Sequence, residues 1–228
     1  MMPYLLLLLL LLAVILGPQW WVQRVLNRYH QHPEENFPGT AGELARHLLD
    51  RFGLTHVRVE ASQEGDHYDP AASALRLTPD KLGAKTLTAI TVAAHEVGHA
   101  LQHHANEPMF AWRSRLAAAT IWGQRLGSLL LFASPMLILL TRTPSLGVIS
   151  FAGAFLLMGL GLLVQLITIP VETDASFNKA LPLLKNGYLQ ESQYAAATQI
   201  LRAAAWTYVA SSLAGLLNFW RWMQLLRR

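Results

Sequence analysis

Long apolar segments constrain this chain more than any other feature. The first runs from Met1 to Trp21 and contains eight consecutive leucines at positions 5–12. Three more apolar stretches cover Leu126 to Leu140, Ser145 to Ile169 and Ala203 to Trp220. A helix crosses the hydrocarbon core of a bilayer with about 20 apolar residues. With 53% hydrophobic and only 14% charged residues, the chain is predicted to cross a membrane several times as helices.

Three of these segments have features that bear on whether they cross the membrane. The first could be a cleaved signal peptide, but no Lys or Arg precedes its leucines, and the Trp20-Trp21 pair followed by Arg24 is typical of a retained membrane anchor. The stretch from Leu126 contains Pro135 and is short, so we expect it to borrow residues from the helix before it. The last stretch contains polar residues such as Asn218 and could instead lie along the interface.

A polar region of small-domain size lies between the first two spans, roughly from His30 to Arg125. Thr40 is predicted to cap a helix that ends at Gly53. Apolar and polar side chains alternate at 56–60 and again at 74–78, with turn residues between them, which predicts a β-hairpin or small sheet.

The next predicted helix begins after Pro79-Asp80 and runs without interruption from about Lys81 through His104. Its second half contains His95, Glu96 and His99. On a helix the i, i+4 spacing puts both imidazoles on one face, where they can bind one Zn²⁺. Glu96 lies about 100° round the helix and can act as general base for a zinc-activated water. This pattern predicts a hydrolase.

A catalytic zinc site normally has three protein ligands, and the chain contains no cysteine. Glu172 and Asp174 follow the third apolar segment, and two spans lie between them and His99, so the chain returns to the same side of the membrane. Glu172 is therefore predicted as the third ligand, with Asp174 as a partner of a histidine N–H. His103, His104 and Glu107 are interpreted as solvated side chains at the helix end. Alternatively, Glu172 and Asp174 bind no metal and only stabilise the positive end of a helix dipole.

Several motifs resemble the YugP-type neutral zinc metallopeptidases of bacterial membranes, in the same order and over nearly the whole chain. They are Asp66 to Pro70, Val92 to Gln102, Gln165 to Ser176 and Ala203 to Ala210. More distantly, the chain is similar to the HtpX and CAAX-protease group of gluzincins, in which a later helix supplies a glutamate ligand. In that group an aspartate follows the glutamate by four residues, whereas Asp174 follows Glu172 by two.

This resemblance implies a zinc metalloendopeptidase and makes His67 and Tyr68 candidates for stabilising the oxyanion. The other interpretation of their segment is a turn closed by Asp66 and Asp69. Two rival functions remain: a non-catalytic zinc-binding scaffold, and a site-2-type intramembrane protease, which would use an Asp-Gly motif that this chain lacks.

The predicted fold class is mainly α: a multi-span helical membrane protein with a small α+β, zincin-like catalytic region that carries a short β-hairpin. The expected parts are a transmembrane anchor (1–29), a membrane-associated catalytic region (30–125), two transmembrane helices (126–169), a segment with the third ligand (170–202) and a C-terminal transmembrane or interfacial helix (203–228).

The net charge of +4 arises from scattered basic residues that flank the apolar segments. This distribution favours a lipid bilayer over nucleic acid as partner. The expected substrate is a protein or peptide. Arg24 and Arg28 follow the first span, so we predict a multi-pass protein of the bacterial inner membrane with a cytoplasmic catalytic face.

Overall fold

The computed structural model describes residues 2–31 and 37–215. These residues are mostly helical and include one three-stranded sheet. The chain forms two compact units, each assembled from segments that are far apart in sequence. The polar unit comprises residues 20–111 and 169–207, and the apolar unit comprises residues 1–19, 112–168 and the chain from 208 onward.

Long helices supply the predicted membrane spans. They are α1 (Met2–Arg28), α5 (Pro108–Thr141) and α6 (Pro144–Ile167). Within the described residues, three helical stretches are long and apolar enough to cross a bilayer: Tyr4–Arg28, Pro108–Thr141 and Pro144–Lys185. α5 begins at Pro108, upstream of Leu126, and continues past Pro135. The short second segment therefore does continue the helix before it. The prediction of a mainly helical chain with several candidate spans is confirmed.

The fourth apolar segment is described only in part. Helix α9 covers Tyr194–Gly215, and residues 216–228 lie outside the described part of the chain. Whether this segment spans the membrane or lies at the interface therefore stays a prediction.

Helices α5 and α6 of the apolar unit pack through small residues. Gly161 on α6 faces α5 so closely that a Cβ there would lie 2.8 Å from Gln124 Nε2 and 3.1 Å from Thr120 Cγ2. Ser128 on α5 and Ala154 on α6 are fully buried. Small residues let helix backbones approach closely in a bilayer, where the hydrophobic effect does not drive helices together.

The polar unit contains the helix predicted after Thr40. This helix, α2, covers Ala41–Arg51, and Thr40 and Glu43 form a reciprocal capping box at its start. Gly53, with a φ of 72°, lies just beyond its end, as expected for a residue that tolerates positive φ. The buried face of α2 includes Leu48 and Leu49, which are fully buried in the core.

The three strands form a sheet whose order differs from the predicted hairpin. They are β1 (Arg58–Ala61), β2 (His67–Asp69) and β3 (Ala74–Leu77), in the order β1-β3-β2. The small sheet, one of the two predicted alternatives, is therefore present. The other alternative, a hairpin between the two alternating segments, is wrong, because β1 and β3 pair in parallel. The intervening segment, interpreted as a connection, contains β2, which pairs antiparallel with β3 and forms the hairpin. A parallel pair requires such a crossover between its strands.

The predicted helix from Lys81 to His104 is two helices. A short helix, α3 (Pro79–Leu82), ends at Gly83, and α4 begins at Leu87 and ends at His104. Thr86 is the cap of α4, because its hydroxyl accepts a hydrogen bond from Ala89 N at 3.2 Å. The prediction of one uninterrupted helix is therefore wrong.

After α6 the chain remains helical but changes its pitch. α7 covers Ile169–Thr173, a π-helical segment covers Asp174–Ala180, and α8 covers Leu181–Lys185. A π-helix holds an extra residue in its turn and occurs frequently at functional sites. The π-helical segment packs against α4 in the polar unit.

Candidate metal centre

Helix α4 presents its two histidines from the interior of the polar unit. Its residues from Leu87 to Ala100 are all buried, so the helix is central to the core rather than amphipathic at a surface. His95 and His99 lie one helical turn apart, with ring centroids 4.7 Å from each other. The four-residue spacing places both rings on the same face, as the sequence predicts.

Glu172, on α7, meets both imidazoles. Its Oε2 lies 3.0 Å from His99 Nε2 and 3.4 Å from His95 Nε2. The exposed fractions of the three side chains are 2% for His95 and 1% each for His99 and Glu172. One ligand atom from each residue falls within 4.8 Å of the others. The structure thus brings together three potential metal ligands from two segments of the chain.

Gly98, between the two histidines, explains how α7 and the π-helical segment come so close. A Cβ at this position would lie 2.7 Å from the backbone oxygen of Ala175, a separation that real Cβ atoms do not show. The glycine therefore allows backbone to pack on α4 beside the histidines. Sequence reasoning gave Gly98 no role, although a glycine in a buried helix interior costs about 1 kcal/mol relative to alanine and so indicates a packing reason.

The ring of His95 is oriented by Ser176. The Ser176 hydroxyl lies 3.0 Å from His95 Nδ1 and donates to the backbone oxygen of Leu201 at 3.2 Å. A hydroxyl has one proton to donate, so it must accept from His95 Nδ1–H. The lone pair of the neutral imidazole is then on Nε2, the atom that faces Glu172. Sequence reasoning missed Ser176, because no local pattern links it to a residue 81 positions earlier.

The ring of His99 contacts Gln102. The amide Oε1 of Gln102 lies 2.8 Å from His99 Nδ1, and its Nε2 donates to Val171 O at 2.9 Å and to Asp174 Oδ2 at 2.8 Å. Gln102 is 1% exposed. The two ligand histidines thus have different partners, a hydroxyl for His95 and a carboxamide for His99.

Asp174 reaches His99 through this amide and not by direct contact. Its carboxylate also accepts hydrogen bonds from Asn178 Nδ2 at 2.8 Å and from Lys179 Nζ. Lys179 in turn pairs with Glu107 at 2.8 Å. Glu107 is therefore part of an ion-pair network instead of a solvated side chain at the helix end, which corrects the prediction for that residue.

The donor set fits a zinc ion. Two imidazole nitrogens and a carboxylate oxygen are ligands that Zn²⁺ prefers, and three protein ligands are typical of catalytic zinc sites. The lone pairs of His95 Nε2, His99 Nε2 and Glu172 Oε2 point toward one another in a buried space. Two neutral imidazoles and a carboxylate at these separations are stable together only with a proton or a metal cation among them. His95, His99 and Glu172 could therefore hold the metal.

Tyr68 lies near this centre but its hydroxyl is occupied by another group. It is hydrogen-bonded to His103 Nδ1 at 2.9 Å, so His103 also differs from the solvated side chain that was predicted. Phe110 neighbours both Tyr68 and His99, with ring centroids 6.4 and 6.0 Å away respectively. Burial raises the pKa of the Tyr68 phenol, which keeps it protonated at neutral pH and able to donate.

The segment around His67 bears out the alternative interpretation, a turn closed by Asp66 and Asp69, only for Asp69. Residues His67–Asp69 form β2, and Asp66 Oδ1 accepts from Thr78 N at 2.8 Å. Asp69 Oδ1 accepts from Ala71 N at 2.9 Å and Ala72 N at 3.1 Å. Burial would raise the pKa of the Asp69 carboxyl, but hydrogen bonds from these amides and Arg76 outweigh it and lower the pKa. His67 Nδ1 contacts the backbone oxygen of Gly65 at 3.0 Å. His67 thus contacts backbone of its own loop.

Comparison with known proteins agrees with this centre. Residues 4–227 match the family described as "Putative neutral zinc metallopeptidase". The chain belongs to this family. It is also 32% identical over 215 residues to the "Putative membrane protease YugP" of Bacillus subtilis (strain 168), with 92% of each chain covered. No solved structure matches the chain. The family resemblance and the zinc cofactor expected from the sequence are confirmed, as is an association with membranes.

Proposed function

We propose that this protein is a zinc-dependent endopeptidase with a zincin-like site of the gluzincin type. His95, His99 and Glu172 would hold the metal, and Glu96 would move the proton. The observation that carries the proposal is that three buried ligand atoms lie close together, two of them on α4, the helix that also contains Glu96. The metallopeptidase family to which the chain belongs supports the same reaction class.

In the proposed reaction the metal and the side chains of the protein have separate roles. When bound, zinc lowers the pKa of a water to about 7 and polarises the substrate carbonyl. Glu96, which is 4% exposed, accepts a proton from the attacking water and returns it to the leaving amine. Ser176 and Gln102 hold the imidazoles in fixed orientations. Fixed partners of this kind keep ligand geometry constant through the reaction.

The sheet supports a protein or peptide as substrate. β2 is at the edge of the sheet and packs against α4. An extended peptide can add to a sheet edge through main-chain hydrogen bonds, which would bring its backbone near the helix that holds the ligands. Tyr68, on β2, remains a candidate for stabilising the oxyanion only if it leaves His103, while His67 is the weaker candidate because it contacts its own loop.

The test of the enzyme is the variant Glu96→Gln, which keeps the size of the side chain and removes its basicity. We expect detergent-solubilised wild-type protein to digest casein with chelator sensitivity and the variant to lose at least about 100-fold of this rate. Both proteins should contain close to one zinc. The measurements are proteolytic rate and metal content on the same preparation.

Glu191→Gln is the matched control, since Glu191 is an exposed carboxylate of the polar unit and should leave the rate unchanged. Normal turnover by Glu96→Gln would contradict the general-base role. Zinc binding without any cleavage by the wild type would favour the scaffold, the rival that places the same ion on the same residues without a reaction.

We further propose that the protein is a multi-pass protein of the bacterial inner membrane with its catalytic side in the cytoplasm. The bias of Arg24 and Arg28 after the first span supports this orientation. Because the chain has no cysteine, single cysteines at Ser62 and Arg228 can be labelled without background. An impermeant reagent should leave Ser62→Cys unlabelled in intact cells. Labelling at this position would show that the catalytic side faces outward, which contradicts the proposed orientation. Arg228→Cys reports whether the last segment spans.

A further inference from the structure

We propose that Gln102 is a positioning residue that holds the proton of His99 on Nδ1 and thereby presents Nε2 to the metal. The inference rests on the proposed function in that it takes His99 to be a zinc ligand. It does not depend on peptide cleavage. Gln102 follows His99 by three residues on α4, which puts the two side chains on adjacent parts of one helix face.

The orientation of the Gln102 amide is determined by its neighbours. Its Nε2 lies 2.9 Å from Val171 O and 2.8 Å from Asp174 Oδ2, and both of these atoms are acceptors only. Turning the amide over would place its oxygen against a carbonyl and a carboxylate. The two protons of the NH₂ group are therefore used on Val171 and Asp174, and Oε1 faces His99.

The amide in turn determines the tautomer of His99. Oε1 can only accept, and it lies 2.8 Å from His99 Nδ1 in a fully buried contact. The neutral imidazole has one N–H, which must therefore be on Nδ1. Nε2 then has the lone pair, and it is the atom 3.0 Å from Glu172 Oε2. The direction of one amide thus selects which nitrogen of His99 is available to a metal.

The same amide connects the two segments that supply ligands. Val171 directly precedes Glu172, so the bond from Gln102 to Val171 O ties the backbone next to one ligand to the side chain of another. Asp174 also accepts from Asn178 Nδ2 through its other oxygen, Oδ1, and from Lys179 Nζ through the same Oδ2 that contacts Gln102. Lys179 compensates the charge of Asp174, and a neutral amide, rather than that carboxylate, contacts His99.

The test measures zinc affinity and the His99 tautomer in Gln102→Met, which keeps the volume and removes both hydrogen-bonding functions. We expect zinc affinity to fall about 10–100-fold, as for other partners of ligand histidines. In zinc-loaded protein with ¹⁵N-labelled histidine, the proton of His99 should be on Nδ1 in the wild type, with Nε2 facing the metal. In the variant the proton should divide between Nδ1 and Nε2, because either nitrogen can then face the metal. Metal affinity is measured with zinc alone, by competition with a chromophoric chelator.

The matched control is Gln193→Met. Gln193 is a buried glutamine of the polar unit whose Oε1 accepts from Gln190 N, so its loss removes a buried amide without touching the site. Its zinc affinity should stay within about twofold of the wild type. The proposal requires both changes in Gln102→Met, weaker zinc binding and a mixed tautomer. Either change without the other would overturn it.

A second variant keeps the proposal testable if Gln102→Met does not fold. Gln102→Glu keeps the shape and the acceptor toward His99 but places a carboxylate against Val171 O and Asp174. We expect weaker zinc binding, which adding Asp174→Asn should partly restore, because the new amide can donate to the new carboxylate. If the losses of zinc affinity from Gln102→Glu and Asp174→Asn simply add in the double variant, the two side chains do not interact, which would contradict the contact between Gln102 and Asp174. None of these measurements uses peptide cleavage, so failure of the peptidase proposal would be seen separately.

Discussion

A glycine brings two helical segments together in each unit of the molecule, but what it faces differs. In the polar unit, a Cβ on Gly98 would meet the backbone oxygen of Ala175 at 2.7 Å. In the apolar unit, a Cβ on Gly161 would meet the end of the Gln124 side chain at 2.8 Å. A side-chain end can rotate away, whereas a backbone carbonyl inside a helix cannot. The contact at Gly98 therefore has a fixed geometry, whereas the contact at Gly161 can adjust.

Two fully buried serines show the same contrast. Ser176, in the polar unit, joins His95 to the backbone of α9. Ser128, in the apolar unit, donates to Gln124 O, four residues earlier in its own helix. The first hydroxyl orients a candidate ligand from a distant segment, while the second only satisfies itself locally. Of these two buried hydroxyls, the one in the polar unit thus orients a site residue, and the one in the apolar unit bonds only within its own helix.

The largest expected effect is that of Gly98→Ala. The added methyl group must push back the π-helical segment, which bears Ser176 and follows Glu172. We expect overpacking to lower the free energy of unfolding by about 1–3 kcal/mol, despite the better helix propensity of alanine. Zinc binding should also be lost or strongly weakened. Thermal unfolding in detergent and zinc content measure the two effects.

Gly161→Ala is the matched control for that change. It adds the same methyl group against the Gln124 side chain, so its stability should change by less than about 1 kcal/mol and its zinc content should not change. Equal destabilisation by the two variants, or full zinc binding by Gly98→Ala, would remove the contrast between the units.

A smaller effect is expected from Ser176→Ala. The variant leaves the Nδ1–H of His95 without its acceptor in a buried position, so zinc affinity should fall by about 10-fold. Ser128→Ala removes an equally buried hydroxyl of the apolar unit and should leave affinity unchanged. Zinc titration of both variants against a chelator tests this. If Ser176→Ala binds zinc like the wild type, the hydroxyl does not orient His95.

Parts of the fold could be predicted because their signals are local. The length and apolarity of segments predict spans directly, and the capping box at Thr40 is contained in four residues. The parallel pairing of β1 and β3 could not be predicted, because alternation shows that a strand exists but not its partner. The break before α4 has a local signal in Gly83, because glycine is common just after the end of a helix.

The site shows the same limit. The spacing of His95 and His99 is local, and the count of spans was enough to suggest that Glu172 returns to the same side. Gln102 had a usable signal, its i+3 position after His99, whereas Ser176 depends on the pitch of a π-helical segment that no sequence pattern indicated. Contacts made by backbone approach, as at Gly98, become visible only once both segments are in place.

The central claim is that zinc is held by His95, His99 and Glu172, and the metal content of two acid variants tests it most directly. Purified wild-type protein should contain one zinc per chain. Glu172→Ala should lose it, because a ligand is removed, while Asp174→Ala should still bind zinc with reduced affinity, because that carboxylate acts through Gln102. A full equivalent of zinc in Glu172→Ala, with loss of zinc from Asp174→Ala, would show that the third ligand has been assigned to the wrong acid.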